Sequence, residues 1–424
     1  EAQLSLGRML EVDGQYTAAA DALTDAYARA AQQDLPDTIA AAALELTELY
    51  AIELGRVDVA EAWGHATEAA LARLDDPKRL GVAELRTAQF AAAYQLGDAE
   101  RGQSYLEEAY EILEAEYGRD HPETMRVLAN MGIFAVEHGD PIEGLAQMRS
   151  AAEAYERFFG PRFPELAVLY NQLTLAAHAT AQPELANEFA HKCLALADSD
   201  EAPSSDVATC IASLGVIAMD EGRPKDAVAH LERSRTIIEA ELGAEHQHMA
   251  VLSQRLCLVY ERMSDLEAAA RECRRGYELS RSLYEEDDVD LALATALHAR
   301  HVVARDHDQA RELVSSAVSV AERSDSPEML AMVLVAAAEI ERRGGDLRTA
   351  AVHAERVLAL EFDDEIVAAL AVFELAQARL ELEGADVTDE RRTMIEAPVR
   401  KLLAEHGPTP PWPGPLMQAW LDRM

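Results

Sequence analysis

The 424-residue chain is 49% hydrophobic and 27% charged, and its 77 acidic against 38 basic residues leave a formal net charge of −39. That apolar content excludes a disordered polyelectrolyte, and that negative charge argues against a general binder of phosphate backbones or anionic membranes. The length exceeds what one compact helical core needs, so several domains or an elongated array is expected.

From Glu1 the sequence is already in helical register and has no initiating methionine, as a piece of a longer protein would begin. Small residues then recur at Ala19, Ala60, Gly102, Gly144, Ala186, Ala227, Ala269, Ala310 and Ala350, every 40 to 42 residues. Five residues before most of them lies a turn glycine: Gly14, Gly55, Gly97, Gly139, Gly222 and Gly345. Ala181, Ser264 and Arg305 hold the other three turns. Each turn separates two stretches of helical period, for example 123–138 and 141–158. Loops such as "YGRDHPET" (117–124) and "LGAEHQHM" (242–249) close the units.

This small–turn–small pattern, with Gly132, Gly139, Gly144 and Ala151 in one unit and Gly215, Gly222, Ala227 and Ser234 in another, resembles the tetratricopeptide repeat. The longer period and the "LG..HP" style of loop resemble the variety found in kinesin light chains and many bacterial arrays. The family's tryptophan and most of its tyrosines are missing. The resemblance implies an all-α fold, a right-handed α-solenoid of antiparallel helix pairs with about nine to ten repeats, over residues 1–387. A capping helix region follows at 388–406, then a proline-rich connector and short C-terminal helix at 407–424. Gly7, Ala19, Gly132, Gly144, Gly215 and Ala227 are expected to let the helices of a hairpin approach closely. Leu128, Leu173, Leu214 and Leu256 should fill the space between them.

Chemistry is scarce. There is no GxxxxGK[ST], HExxH or GxSxG, so no enzyme activity and no cofactor are expected. Cys193, Cys210, Cys257 and Cys273 lack CxxC spacing and read as buried thiols of a reducing cytoplasm, in preference to a disulfide or a metal role. In "HARHVVARDHD", His298, His301 and His307 are the best metal candidates, yet packing is the preferred reading and no metal site is assigned. The acidic run "EEDDVD" (285–290) lacks EF-hand spacing and suits the N-terminus of the helix after it. The longest apolar run, "LAMVLVAAA" (330–338), is too short to span a bilayer. In the last stretch, Leu416, Trp420 and Met424 share a helical face that either folds back onto the array, the preferred reading, or hooks a partner.

The family resemblance implies that first helices line a concave groove. Counting back from each turn places Arg126, Asn130, Asn171, Gln172, Gln254 and Arg255 there, with Glu45 and Leu46 in an outer repeat. Amides can donate to and accept from an extended backbone, and arginine can fork onto a carboxylate. The expected function is a non-enzymatic scaffold that binds a protein or peptide, basic or neutral, in this groove. The alternative is the sensor or partner-recruiting region of a larger bacterial signalling protein carrying a Ser/Thr kinase, ATPase or transcription regulator. Self-association stays open; nucleic acid and membrane partners are not expected.

Overall fold

The computed structural model describes residues 1–12, 14–75, 79–164, 166–198, 204–324, 326–362, 364–384, 387–405 and 413–423. These residues are helical with no strand among them, and they divide into two compact units, Glu1–Leu196 and Ala197–Met424. Of the proline-rich stretch at 407–415, residues 407–412 lie outside the described residues, and Pro413, Gly414 and Pro415 open the last helix.

Unit 1 pairs α1 (Ala2–Val12) with α2 (Tyr16–Gln32) and α3 (Pro36–Glu48) with α4 (Val57–Leu71). It continues with α5 (Leu80–Gln95) and α6 (Ala99–Tyr117), α7 (Pro122–His138) and α8 (Pro141–Phe159), and α9 (Leu166–Ala179) and α10 (Pro183–Ala197). Unit 2 pairs α11 (Ser205–Asp220) with α12 (Pro224–Leu242) and α13 (Gln247–Arg262) with α14 (Leu266–Leu283). Next come α15 (Val289–Val302) with α16 (His307–Ala321), α17 (Pro327–Arg343) with α18 (Leu347–Val357), and α19 (Glu365–Glu383) with α20 (Asp389–Glu405). The short α21 (Gly414–Leu421) closes the unit.

Local signals start these helices where the sequence places them. Asp140, Asp265, Asp306 and Asp346 accept hydrogen bonds from the first free backbone N–H groups of α8, α14, α16 and α18. Proline occupies the first turn of α3, α7, α8, α12 and α17, where its missing N–H costs nothing. In the closing loops His121 and His246 take the cap role, each ring Nδ1 accepting from a backbone N–H at 3.2 Å. The acidic run at 285–290 behaves likewise, since Asp288 caps α15 at 2.8 Å from the Asp290 N–H.

All nine periodic small residues are buried, as are Leu128, Leu173, Leu214 and Leu256. A tight backbone contact lies between α7 and α8. A Cβ built on Gly132 would sit 2.7 Å from the Gly144 carbonyl oxygen, and one on Gly144 would sit 2.5 Å from the Gly132 oxygen. Backbone meets backbone there, so no side chain can yield. At Gly7 and Gly215 the neighbour is a leucine side chain instead, Leu23 and Leu231. A glycine inside a helix costs about 1 kcal/mol against alanine. Dispersion attraction along the whole length of the close-packed helix pair offsets that cost.

Two expectations change. None of the four cysteines is a free thiol: Cys193 and Cys210 are each disulfide-bonded, and Cys257 and Cys273 form a disulfide between α13 and α14, with Cα atoms 5.1 Å apart. The tail does fold back, but on another face from the one anticipated. Met417, Trp420 and Leu421 are buried with Ile395 and Val399, and the Trp420 ring meets Phe373 edge-on at 5.6 Å. Leu416 is 45% exposed, and Met424 lies outside the described residues.

Candidate functional site

Where first helices of neighbouring pairs come together, unit 1 builds a mostly apolar depression bordered by a few polar side chains. Arg126, Ala129, Asn130 and Ile133 of α7, Tyr155 of α8, and Leu166, Val168, Leu169 and Gln172 of α9 line a depression of about 180 Å³. Three of the six expected groove residues, Arg126, Asn130 and Gln172, thus converge. The volume suits one side chain of an extended peptide rather than an enclosed small molecule. Val168 is 48% exposed at its rim. Arg126 also borders a smaller recess with Glu84, Thr87 and Glu123, and its Nε donates to Glu123 Oε2 at 3.1 Å.

The other expected positions behave differently. Asn171 is half-buried, and its Oδ1 has no hydrogen-bond partner among the described residues. Gln254 turns inward: it is buried against Gly276, and its Nε2 donates to Ser280 Oγ at 3.4 Å, between α13 and α14. It therefore serves the hairpin and not a groove. Arg255, one residue on, makes no ion pair or hydrogen bond among the described residues, and burial lowers the pKa of its guanidinium. Leu46, expected inward-facing in an outer repeat, is fully buried in the core of unit 1.

Sequence reasoning missed a cluster of crowded carboxylates in unit 1. Glu11, Glu45, Glu48 and Glu84 project from α1, α3 and α5 near one another. Burial pushes the Glu48 carboxyl up to about 7, and the charges of Glu84, Glu45 and Glu11 add to the shift while Arg126 opposes it. Glu11 moves in the same direction through burial and the charges of Glu45 and Glu53. Arg8 neutralises Glu45 through an ion pair, but the Glu11 and Glu48 carboxylates have no ion pair or hydrogen bond among the described residues. The available signal was acids on three successive first helices, of which only Glu45 was noticed.

The histidine trio separates. His298 is half-buried, and its ring stacks on Tyr277 with centroids 4.9 Å apart. His307 packs against Gly344, with its Nε2 unpartnered among the described residues. His301 points elsewhere: its Nε2 lies 2.8 Å from Glu261 Oε1 and 3.8 Å from Cys257 Sγ.

Two family models match the sequence, both described as tetratricopeptide repeat, over residues 82–143 and 207–248. No curated protein matches. Among solved structures, apo RapI is similar over 87% of this chain and 99% of its own, with a TM-score of 0.60 and 13% identity. The apo quorum sensor NprR from B. thuringiensis covers 84% and 97%, with a TM-score of 0.58 and 13% identity. A Rap protein complexed with Competence and Sporulation Factor covers 88% and 98%, with a TM-score of 0.52 and 13% identity. At such identities the likeness is one of fold. No helix among the described residues is long and apolar enough to cross a membrane.

Proposed function

We propose that this chain, which matches tetratricopeptide-repeat models over residues 82–143 and 207–248 and shares the fold of such arrays, is a non-enzymatic scaffold whose first helices in unit 1 hold an extended, basic segment of a partner protein. The crowding of Glu11, Glu45, Glu48 and Glu84 carries this reading. Carboxylates held together at a cost, one of them with its pKa near 7, release that cost when a cation arrives. Arg126, Asn130 and Gln172 would hold the peptide backbone or a carboxylate beside them, and the depression at Val168 would take one apolar side chain. A fold shared with a protein complexed with Competence and Sporulation Factor is compatible with this use.

The test is a comparison of extended peptides by fluorescence anisotropy at low and moderate salt, with matched basic, neutral and acidic sequences. Basic peptides should bind best, more weakly as salt rises. Charge-neutralising Glu48→Gln with Glu84→Gln should weaken them by about tenfold, equivalent to about 1.4 kcal/mol. Equal affinity for acidic peptides would refute the reading.

A second reading is regulatory, with the array as the sensing or recruiting part of a larger bacterial signalling protein. The likeness in fold to a quorum sensor favours it. It would be tested by asking whether peptide binding alters the output of a neighbouring domain in the full-length gene product.

A further inference from the structure

We propose that Cys257, Glu261, Cys273 and His301 form a redox-gated site for a divalent metal of the zinc type. The disulfide closes this site and the reduced chain opens it. Four donor atoms, two sulfurs, one imidazole nitrogen and one carboxylate oxygen, lie within 4.8 Å of one another. They come from three consecutive helices: Cys257 and Glu261 one turn apart on α13, Cys273 on α14 and His301 on α15.

Their surroundings are those of a built site. Cys257 and Cys273 are 0% and 1% exposed and pack on Leu297, Leu258 and Leu293, which keep water away from the sulfurs. The Glu261 carboxylate is already oriented. Arg300 Nη1 holds its Oε2 at 2.9 Å, which leaves Oε1 turned toward His301 Nε2 at 2.8 Å. Arg300 is in turn fixed by Glu339 at 2.6 Å. An outer partner that aims a ligand and leaves its other atom available is the usual support of a metal centre. Two thiolates, an imidazole and a carboxylate match the donors and the coordination number that zinc prefers. Two thiolates and one carboxylate around a dication leave one negative charge in excess, and Arg300 offsets it.

The disulfide and the metal exclude each other. Tetrahedral bonds of about 2.3 Å to sulfur and about 2.0 Å to nitrogen or oxygen place the ligand atoms about 3.3–3.8 Å apart, which a bonded sulfur pair cannot satisfy. Opening the site breaks the S–S bond. Two electrons and two protons enter, two thiols form, and a dithiol reductant becomes a disulfide. Metal binding then sends both thiol protons to solvent, and the metal changes no oxidation state. The Cα separation of 5.1 Å is compatible with either bridge, so the helices need little adjustment. Oxidised, the chain ties α13 to α14 alone. Reduced and metallated, it ties the same hairpin to α15 of the next pair as well.

The experiment titrates the full chain with cobalt and then zinc, once as isolated and once after anaerobic reduction with a water-soluble phosphine, which leaves as its oxide with an oxygen from water. The reduced chain should take up one equivalent of cobalt, with thiolate-to-cobalt charge transfer and the d–d bands of a tetrahedral ion, and zinc should displace it. The oxidised chain should show neither. Cys257→Ser should weaken binding by more than about a hundredfold, beyond the effect of an outer-shell partner. His301→Asn and Glu261→Gln should each weaken it measurably, while Cys193→Ser with Cys210→Ser should keep the spectrum. Four results would overturn the proposal: no stoichiometric uptake by the reduced chain, loss of helical circular dichroism on reduction without uptake, uptake by the oxidised chain, or uptake that survives replacement of both His301 and Glu261.

Discussion

The two units place acidic residues on corresponding first helices, and they differ in whether the most buried of them are paired. In unit 2, Glu261, Glu339 and Glu374 of α13, α17 and α19 are each met by an arginine. Arg300 bridges the first two at 2.9 and 2.6 Å, Arg342 reaches Glu374 at 2.7 Å and Glu381 at 3.3 Å, and Arg343 reaches Glu339 at 3.1 Å. These side chains are mostly buried, so the pairs form a ladder that locks neighbouring repeats. In unit 1, Glu11 and Glu48 have no such partners, and burial and like charges raise their carboxyl pKa values. A paired acid in a solenoid reads as structure. An acid left unpaired at a cost reads as a place for something else to bind.

The comparison breaks most visibly at Arg300. Arg300→Ala strands Glu261 and Glu339 without their shared counter-charge and should destabilise the protein by about 3 kcal/mol or more, measured by urea denaturation. Next comes the glycine contact in unit 1. Gly144→Ala drives a Cβ into the Gly132 carbonyl and should cost about 1–3 kcal/mol, and Gly215→Ala should cost less because the Leu231 side chain can shift.

Glu48→Gln should have the opposite sign. The folded-state pKa of Glu48 is raised to about 7 from 4.5, so ionisation destabilises the fold fully above pH 7 and not at all well below pH 4.5. After a discount for solvent screening, the variant should be more stable than wild type by about 1–2 kcal/mol at pH 8, and equal to it at pH 4. Thermal melts at the two pH values check this. Smallest is Arg8→Ala, which removes a largely exposed partner of Glu45. It should cost under about 1 kcal/mol in stability, and it should sharpen the preference for basic peptides.

The fold was legible because its signals are local. A small residue recurring every 40 to 42 positions marks where two helices touch, and the turns show it too. Gly14, Gly55, Gly97, Gly222 and Gly345 adopt φ of 60° to 87°, and Ala181 and Ser264 accept the same left-handed backbone at 55° and 60°. The site was less legible because one residue along a helix is a rotation of about 100°. That rotation puts Gln254 inside the hairpin and leaves Arg255 outside it. The disulfide carried a readable sign that spacing rules for CxxC do not contain: Cys257 and Cys273 lie eight residues to either side of Asp265 at the turn, so they face each other across the hairpin. Glu261 lies one turn from Cys257 on α13, but His301 joins them only through packing of the next pair, which no local pattern encodes. The pKa shift of Glu48 likewise depends on α1, α3 and α5 converging.

The most direct test of the account is proton release. A basic extended peptide is titrated into the protein at pH 7 by calorimetry, in buffers of different ionisation enthalpy. If Glu48 is the acid that a cation discharges, binding should release about half a proton per peptide, and Glu48→Gln should abolish the release while it weakens binding. Affinity should also rise between pH 6 and pH 8. Binding with no proton linkage, or with the same linkage in Glu48→Gln, would contradict the claim that the unpaired acids of unit 1 form the binding face.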